Sequence, residues 1–316
     1  MIERLQERKD RVVVCLPDLP GREGMGALPP NVDVVLIPTD ARPVPDLTRA
    51  DMVVPVDRAR GPLVEALADG RGPRVVQTLS AGFEWLVGRV PEGVIVCNAK
   101  GVFDRPVAEW VVAAILAMQR GLVRARDAQT RGTWEDFDPQ ELAGRRVLIL
   151  GFGSIGSAVA DRLRPFEVDI TGIARTRRDG ALGFEDLDAV LPAADILVDL
   201  LPVTSETDGM LDARRLALLP DGALVVNAGR GRTIVTQALV AELERGRLRA
   251  ALDVTDPEPP PEGHALWSLP NVLLTPHIAG NSAEASERLF GLVGDQVRRF
   301  AAGQPLRNQV PRYLLE

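Results

Sequence analysis

The chain has 316 residues, enough for two domains with separate cores, and its 46% hydrophobic and 26% charged composition is that of a packed globular protein. A formal net charge of −7 argues against a nucleic-acid partner, since no basic face survives that balance easily. Residues 1–10 hold no apolar signal core, no apolar run reaches the length of a membrane span, and the two histidines and two cysteines lack metal-site spacing. These features lead to the expectation of a cytoplasmic protein with no membrane, nucleic-acid or metal partner.

Short apolar runs at 11–16, 32–37, 52–54, 74–79 and 94–97 predict strands, and 62–68 predicts a helix. Strands apolar on both faces suggest a parallel sheet covered by helices. Proline-rich loops at 17–30 and 38–45 separate the first runs. Cys15 and Cys97 each end a run and are expected to be buried, reduced thiols. The run 74–79 leads into Ser80, Ala81 and Gly82, whose N–H groups could form a nest for a carboxylate; an ordinary tight turn is the equal alternative.

One long helix is expected over 105–131, with Val107, Val111, Ala114, Ile115 and Met118 on one stripe. Strands at 146–150, 168–173, 196–200, 223–226, 250–254 and 272–274 then alternate with helices near 154–164, 185–191, 212–219 and 233–245, the pattern of a doubly wound α/β sheet. An amphipathic helix over 282–302 follows, with Leu289, Phe290, Leu292, Val293 and Val297 on its apolar side.

The first strand of that second series runs into Gly151-Phe152-Gly153-Ser154-Ile155-Gly156 and then into a helical pattern. A G-x-G-x-x-G between strand and helix is the context of a dinucleotide pyrophosphate site, whereas the bare motif would be weak. Its mid-chain position implies a separate lobe before it, with substrate expected between the lobes. At the end of the next strand Ala174 stands where an NAD site carries an acid, and Arg175, Thr176 and Arg177 follow at once. A guanidinium beside a hydroxyl suits a 2′-phosphate, so NADP is favoured and NAD remains possible. The plainer alternative is that these arginines solvate a surface loop.

Three later strand ends deliver Arg230, then Asp253 with Glu258, then His277. Reduction of a 2-oxo acid needs a cation for the carboxylate, an acid for the carbonyl oxygen and a carboxylate to orient that acid. Arg230, His277 and Glu258 answer in that order, while Asp253 is placed to hold a nicotinamide amide or a structural hydrogen bond. Singly, His277 reads as a structural histidine, Glu258 as a loop acid among prolines and Arg230 as half of an ion pair. Their occurrence together favours catalysis; His264 reads as a solvated loop histidine.

Leu79-Ser80-Ala81-Gly82, Ala108-Glu109-Trp110, the glycine motif, Leu201-Pro202-Val203-Thr204-Ser205-Glu206-Thr207, Asn227-Ala228-Gly229-Arg230-Gly231, Glu258-Pro259 and Pro276-His277-Ile278-Ala279-Gly280 occur in this order. As a set they resemble the D-isomer-specific 2-hydroxyacid dehydrogenases over nearly the whole chain. The resemblance implies two parallel-sheet α/β lobes, a Rossmann NAD(P)-binding domain over 100–282 and a flavodoxin-like substrate domain over 1–99 plus 283–316. It implies catalysis by Arg230, Glu258 and His277, carboxylate contacts from Ser80, Ala81, Gly82 and Arg230, and a homodimer formed through the nucleotide domain. Cofactor contacts would come from Gly151, Gly153, Ser154, Ile155, Gly156, Arg175, Thr176, Arg177, Leu201, Pro202, Thr207, Asn227, Ala228, Asp253 and Gly280.

Ala174 resembles the NADPH-preferring glyoxylate, hydroxypyruvate and phenylpyruvate reductases of that family, and Glu258 separates the chain from formate dehydrogenases, which carry glutamine there. Trp110 stands where many relatives have histidine, Asp104-Arg105 replace more usual small residues, and no added regulatory domain of the phosphoglycerate dehydrogenase kind is expected. The expected activity is NADPH-dependent reduction of a small 2-oxo acid, glyoxylate or hydroxypyruvate. Its alternatives are a dinucleotide-sensing, corepressor-like binding protein and an NAD-dependent dehydrogenase of a larger substrate.

Overall fold

The computed structural model describes residues 11–315; the stretch 1–10, read above for its lack of a signal core, lies outside the described residues, as does residue 316. The chain forms two compact units, one running to Phe103 and resuming at Ser282, the other spanning Asp104–Asn281.

The first unit holds β1 (Val12–Pro17), β2 (Val32–Ile37), β3 (Met52–Val53), β4 (Val75–Gln77) and β5 (Ile95–Cys97), all parallel in the order β2-β1-β3-β4-β5, a flavodoxin-like arrangement. Successive side chains along a strand point to opposite faces. Val14, Leu16, Met52 and Val75 therefore pack on Phe290, Val293 and Val297 of the final helix, Ala283–Ala301. Cys15, Val53, Val76 and Val96 pack on the other side with Leu63 and Leu67 of α1, Arg60–Ala68. Coverage of both faces fails at β2. It is the edge strand, and Val34, Val35 and Leu36 stay 42%, 36% and 39% exposed.

Ser282 starts the final helix by accepting the Ala285 N–H at 3.0 Å. A buried amide pair ties that helix to the sheet: Gln296 Nε2 donates to Gln77 Oε1 and to the Arg307 carbonyl, both at 2.9 Å, and the Arg307 N–H donates to Gln296 Oε1 at 2.8 Å. Cys15 and Cys97 are buried free thiols, and burial pushes each up to about 11, which keeps them protonated and poorly nucleophilic at neutral pH.

The second unit begins with α2 (Asp104–Gln119) and α3 (Leu122–Thr130). The single helix expected over 105–131 is in fact two, bent by 66°. Gly121 takes φ +65°, and a Cβ there would enter the ring of Phe137, over which Arg124 stacks at 4.4 Å. No single helix among the described residues is long and apolar enough to cross a membrane.

Then come β6 (Arg146–Leu150), α4 (Ser154–Leu163), β7 (Asp169–Ile173), the short α5 (Leu187–Val190) and β8 (Ile196–Asp199). They are followed by α6 (Ala213–Leu218), β9 (Leu224–Asn227), α7 (Thr236–Glu244), β10 (Arg249–Leu252) and β11 (Val272–Leu274). The strands form one parallel sheet in the order β11-β10-β9-β8-β6-β7, with a core that includes Leu148, Leu150, Leu197, Val225 and Leu252. After β7 the chain crosses back to place β8 on the other side of β6. That reversal opens the crevice at the carboxyl end of β6 where such sheets bind ligands.

Candidate active site

The turn after β6 sits at that reversal. Gly151 takes φ +85°, and a Cβ on it would lie 2.8 Å from the Leu200 carbonyl oxygen, so the protein's own packing demands glycine. Gly156 is required in the same way, 2.7 Å from the Gly151 oxygen. Gly153 is different, because a Cβ there meets nothing within 4 Å. The protein's own packing does not require glycine at 153, and the open space there leaves room for a ligand to lie against the backbone, as a pyrophosphate cradle needs. No side chain caps α4 at Gly153, so the first-turn amides of Ser154, Ile155 and Gly156 are offered to an anion. These residues fit a dinucleotide.

The basic run after β7 does not act as one cluster. Arg175 Nε lies 2.7 Å from Glu206 Oε2, an exposed pair that a phosphate can displace at little cost. Arg177, expected beside it, instead pairs with Asp186 at 2.5 Å. Arg178, not among the expected cofactor contacts, donates to the Phe152 carbonyl within the glycine turn. Its only sequence signal was one more arginine after the strand; the bridge between Arg178 and Ala181 that folds it back is tertiary.

Several residues expected at the cofactor spend their polar groups inside the protein. Thr207, 2% exposed, donates to the Pro202 carbonyl at 2.6 Å and accepts the Thr204 N–H at 2.8 Å, closing its own loop. Asn227, 1% exposed, accepts the Gly229 N–H at 2.9 Å and donates to the Arg230 carbonyl at 3.0 Å, so its side chain shapes the turn that carries Arg230. Ala228 donates its N–H to the Asp199 carbonyl at 3.1 Å. Leu201 is buried and donates its N–H to Asp199 Oδ1 at 3.0 Å, while Pro202 is exposed and Gly280 half-buried.

Asp199, at the end of β8, was not legible from sequence. Its other oxygen meets Thr233 Oγ1, which also lies 2.6 Å from the Arg230 carbonyl. A hydroxyl has one proton, so when Thr233 donates to that carbonyl, Asp199 must supply the proton of the second bond. Full burial agrees, pushing this carboxyl up to about 6 against the opposing bonds from Thr233 and Leu201. Between about pH 4 and pH 6 the folded state keeps this proton and the unfolded chain has lost it, so Asp199's contribution to stability falls as pH rises, by roughly 3 kcal/mol in all, and is flat above. Asn retains both bonds without titrating. Urea unfolding should therefore show Asp199→Asn gaining on the parent protein across that window; a pH-independent difference would refute the assignment.

The Arg230 turn packs tightly on the next loop, since a Cβ on Gly231 would overlap the Thr255 carbonyl, three residues before Glu258. Arg230 Nη1 donates to the Gly229 carbonyl at 2.8 Å. After β11 the chain wraps around Asp253, which is 2% exposed. Asp253 Oδ1 accepts from Thr275 Oγ1 at 2.6 Å and the Ile278 N–H at 2.9 Å, its Oδ2 accepts the Ala279 N–H at 2.8 Å, and its carbonyl accepts the His277 N–H at 2.9 Å. Of the two roles expected for Asp253, this is the structural one, and it forces His277 to φ +53°. His277 Nδ1 then lies 2.6 Å from Glu258 Oε1. A carboxylate only accepts, so Nδ1 carries the proton and Nε2 is left for a reacting oxygen. Both side chains are partly exposed, 53% and 42%, as a group that must reach substrate has to be.

In the first unit the chain beyond β4 makes the turn at Ser80, Ala81 and Gly82. Ser80 Oγ donates to the Gly82 carbonyl at 2.7 Å, and Asn98 Nδ2 to the Ala81 carbonyl at 2.8 Å. Among the described residues, the N–H groups of Ser80, Ala81 and Gly82 donate to no protein acceptor. Three consecutive free amides are what an anion nest offers.

Residues 112–279 match the family described as D-isomer specific 2-hydroxyacid dehydrogenase, NAD binding domain. A glyoxylate reductase of Thermofilum pendens is 36% identical over 248 residues, covering 73% of each chain. Among solved structures, a D-isomer specific 2-hydroxyacid dehydrogenase of Xanthobacter autotrophicus in complex with NADPH and MES superimposes with TM-score 0.81 at 30% identity, covering 96% of this chain and 98% of that one. An NADPH-dependent glyoxylate/hydroxypyruvate reductase of Sinorhizobium meliloti, in complex with NADP and sulfate, gives TM-score 0.82 at 27% identity over 97% and 100% of the two chains.

Proposed function

Because the chain belongs to the D-isomer specific 2-hydroxyacid dehydrogenase family, we propose that it is an NADP(H)-dependent oxidoreductase reducing small 2-oxo acids to D-2-hydroxy acids, glyoxylate and hydroxypyruvate among them. The observation that carries this reading is the His277–Glu258 pair, 2.6 Å apart, on the loops that follow β11 and β10 of the sheet whose β6 leads into the Gly151–Gly156 turn, the His277 loop being clamped by Asp253.

When bound, NADPH supplies the hydride that reaches the carbonyl carbon. In its doubly protonated form the His277 ring gives its Nε2 proton to the carbonyl oxygen and keeps the Nδ1 proton that Glu258 accepts, so the acid gains one hydride and one proton in all and the ring is left neutral. Glu258 holds the Nδ1–H and fixes the ring. Arg230 orients and polarises the 2-oxo group, and in the oxidation direction His277 takes up the hydroxyl proton. Loss of nicotinamide absorbance with glyoxylate and with hydroxypyruvate tests the reaction. Cofactor binding without any turnover would overturn the enzyme reading in favour of a dinucleotide-sensing protein.

The NADP preference is supported by Ala174 in place of an acid and by Arg175 and Arg178 near the turn. Titration should give a dissociation constant for NADPH at least about tenfold below that for NADH, and Arg175→Gln should narrow the ratio by a similar factor. Equal affinities, or tighter NADH, would remove the 2′-phosphate role from this run. The family resemblance and the 98% exposure of Trp134, just beyond α3, support a homodimer through the second unit. Sedimentation at the monomer mass would overturn that assembly.

A further inference from the structure

A cavity of about 510 Å³ lies in the first unit, and its walls include Leu19, Val56, Trp85, Arg58, Arg60 and Ser80. Glyoxylate has five non-hydrogen atoms, the bulk of roughly three waters or on the order of 90 Å³, and hydroxypyruvate adds only two more. Most of the space is left over, and its walls carry charge. Arg58 reaches the Pro38 carbonyl at 3.4 Å and has no ion-pair partner among the described residues. Asp40, whose carboxyl it influences, is held by Arg42 at 2.8 Å. Arg60 stacks 5.1 Å over the Trp85 ring and pairs with Asp57 at 2.7 Å. Among the described residues Asp57 is the one carboxylate in the lining, and it is 88% exposed, so that pair is weak. Two guanidiniums against one carboxylate leave this wall net positive in a chain of formal charge −7.

We infer that the cavity takes the side chain of an extended 2-oxo acid ending in a second anionic group, with Arg58 and Arg60 holding that group. The inference rests on the reductase reading above. Leu19, Val56 and the Trp85 ring would cover the intervening methylenes, and the free amides of Ser80, Ala81 and Gly82 would receive the first carboxylate. Guanidiniums with unspent N–H groups bind carboxylate and phosphate through charge-assisted, often bidentate, bonds.

Paired substrates read the subsite. Oxaloacetate and 4-methyl-2-oxopentanoate have the same number of non-hydrogen atoms and differ in a terminal carboxylate against an isopropyl group; 3-phosphohydroxypyruvate and hydroxypyruvate differ in a phosphate. In at least one pair the anionic member should have kcat/KM about tenfold higher or more, and which pair shows it distinguishes carboxylate from phosphate. Arg58→Gln should bring that ratio down toward one, a readout from which general damage to the variant cancels. Equal or reversed ratios in both pairs, or a ratio unchanged in Arg58→Gln, would overturn the subsite while glyoxylate turnover leaves the reductase reading standing. If no acid is reduced, the reductase reading fails by itself; calorimetric titration with the same pairs then reads the subsite, and equal affinities overturn it.

Discussion

Replacing His277 by Asn should lower kcat by about two to four orders of magnitude, with the melting temperature shifted by no more than about 2 °C. Asn is the suitable replacement because it tolerates the left-handed φ of +53° that the turn requires, so the backbone stays in place. Little stability is at stake, since the imidazole is half exposed and its polar contact is to a half-exposed carboxylate. Glu258→Gln should have a smaller effect, roughly one to two orders of magnitude in kcat, because the ring loses its carboxylate partner but keeps its reacting nitrogen. Steady-state kinetics with saturating NADPH and thermal unfolding check both. A loss of less than about fivefold in His277→Asn would remove His277 from the proton-transfer role.

Asp253→Ala should fail differently. The carboxylate is buried and accepts from Thr275, Ile278 and Ala279, so its removal strands two backbone amides and a hydroxyl where water cannot easily replace it. A cost of roughly 3–5 kcal/mol is expected, lowering the melting temperature by roughly 6–15 °C. Activity should fall as well, because the loop that presents His277 is wrapped around this side chain. The contrast between the variants is the test: His277→Asn loses turnover and keeps stability, while Asp253→Ala loses both. A stable but inactive Asp253→Ala would mean that Asp253 acts on the cofactor or substrate and not as the clamp.

Much of this architecture was legible because local rules and the global fold agree. The inner strands of both sheets are apolar runs since they are covered on both sides, and the regular alternation after residue 146 left little choice but a doubly wound sheet. The misreadings have specific causes. The stripe from Val107 to Met118 continues the helical period, but Gly121 and the ring of Phe137 break the helix. The run 32–37 looks as apolar as its neighbours, yet it lies at the edge, and no pattern within a strand reports its place in the sheet.

The site divides along the same line. Motif and spacing alone singled out the glycine turn, Arg230, Glu258 and His277, because a residue that must follow a strand end leaves its mark next to an apolar run. Sequence also set the charge balance and the missing acid at Ala174. Only the tertiary structure separated the residues offered to ligands from those that hold the offering loops. Gly153 faces open space where Gly151 and Gly156 face backbone, and Thr207, Asn227 and Asp253 turn inward to bond loops from other strands. The buried Asp199 behind Arg230, the reach of Arg178 to Phe152 and the guanidinium-lined cavity likewise join segments far apart in the chain. Their partners are chosen by packing across the sheet and not by neighbours in sequence, which is why local pattern could name the chemistry but not its supports.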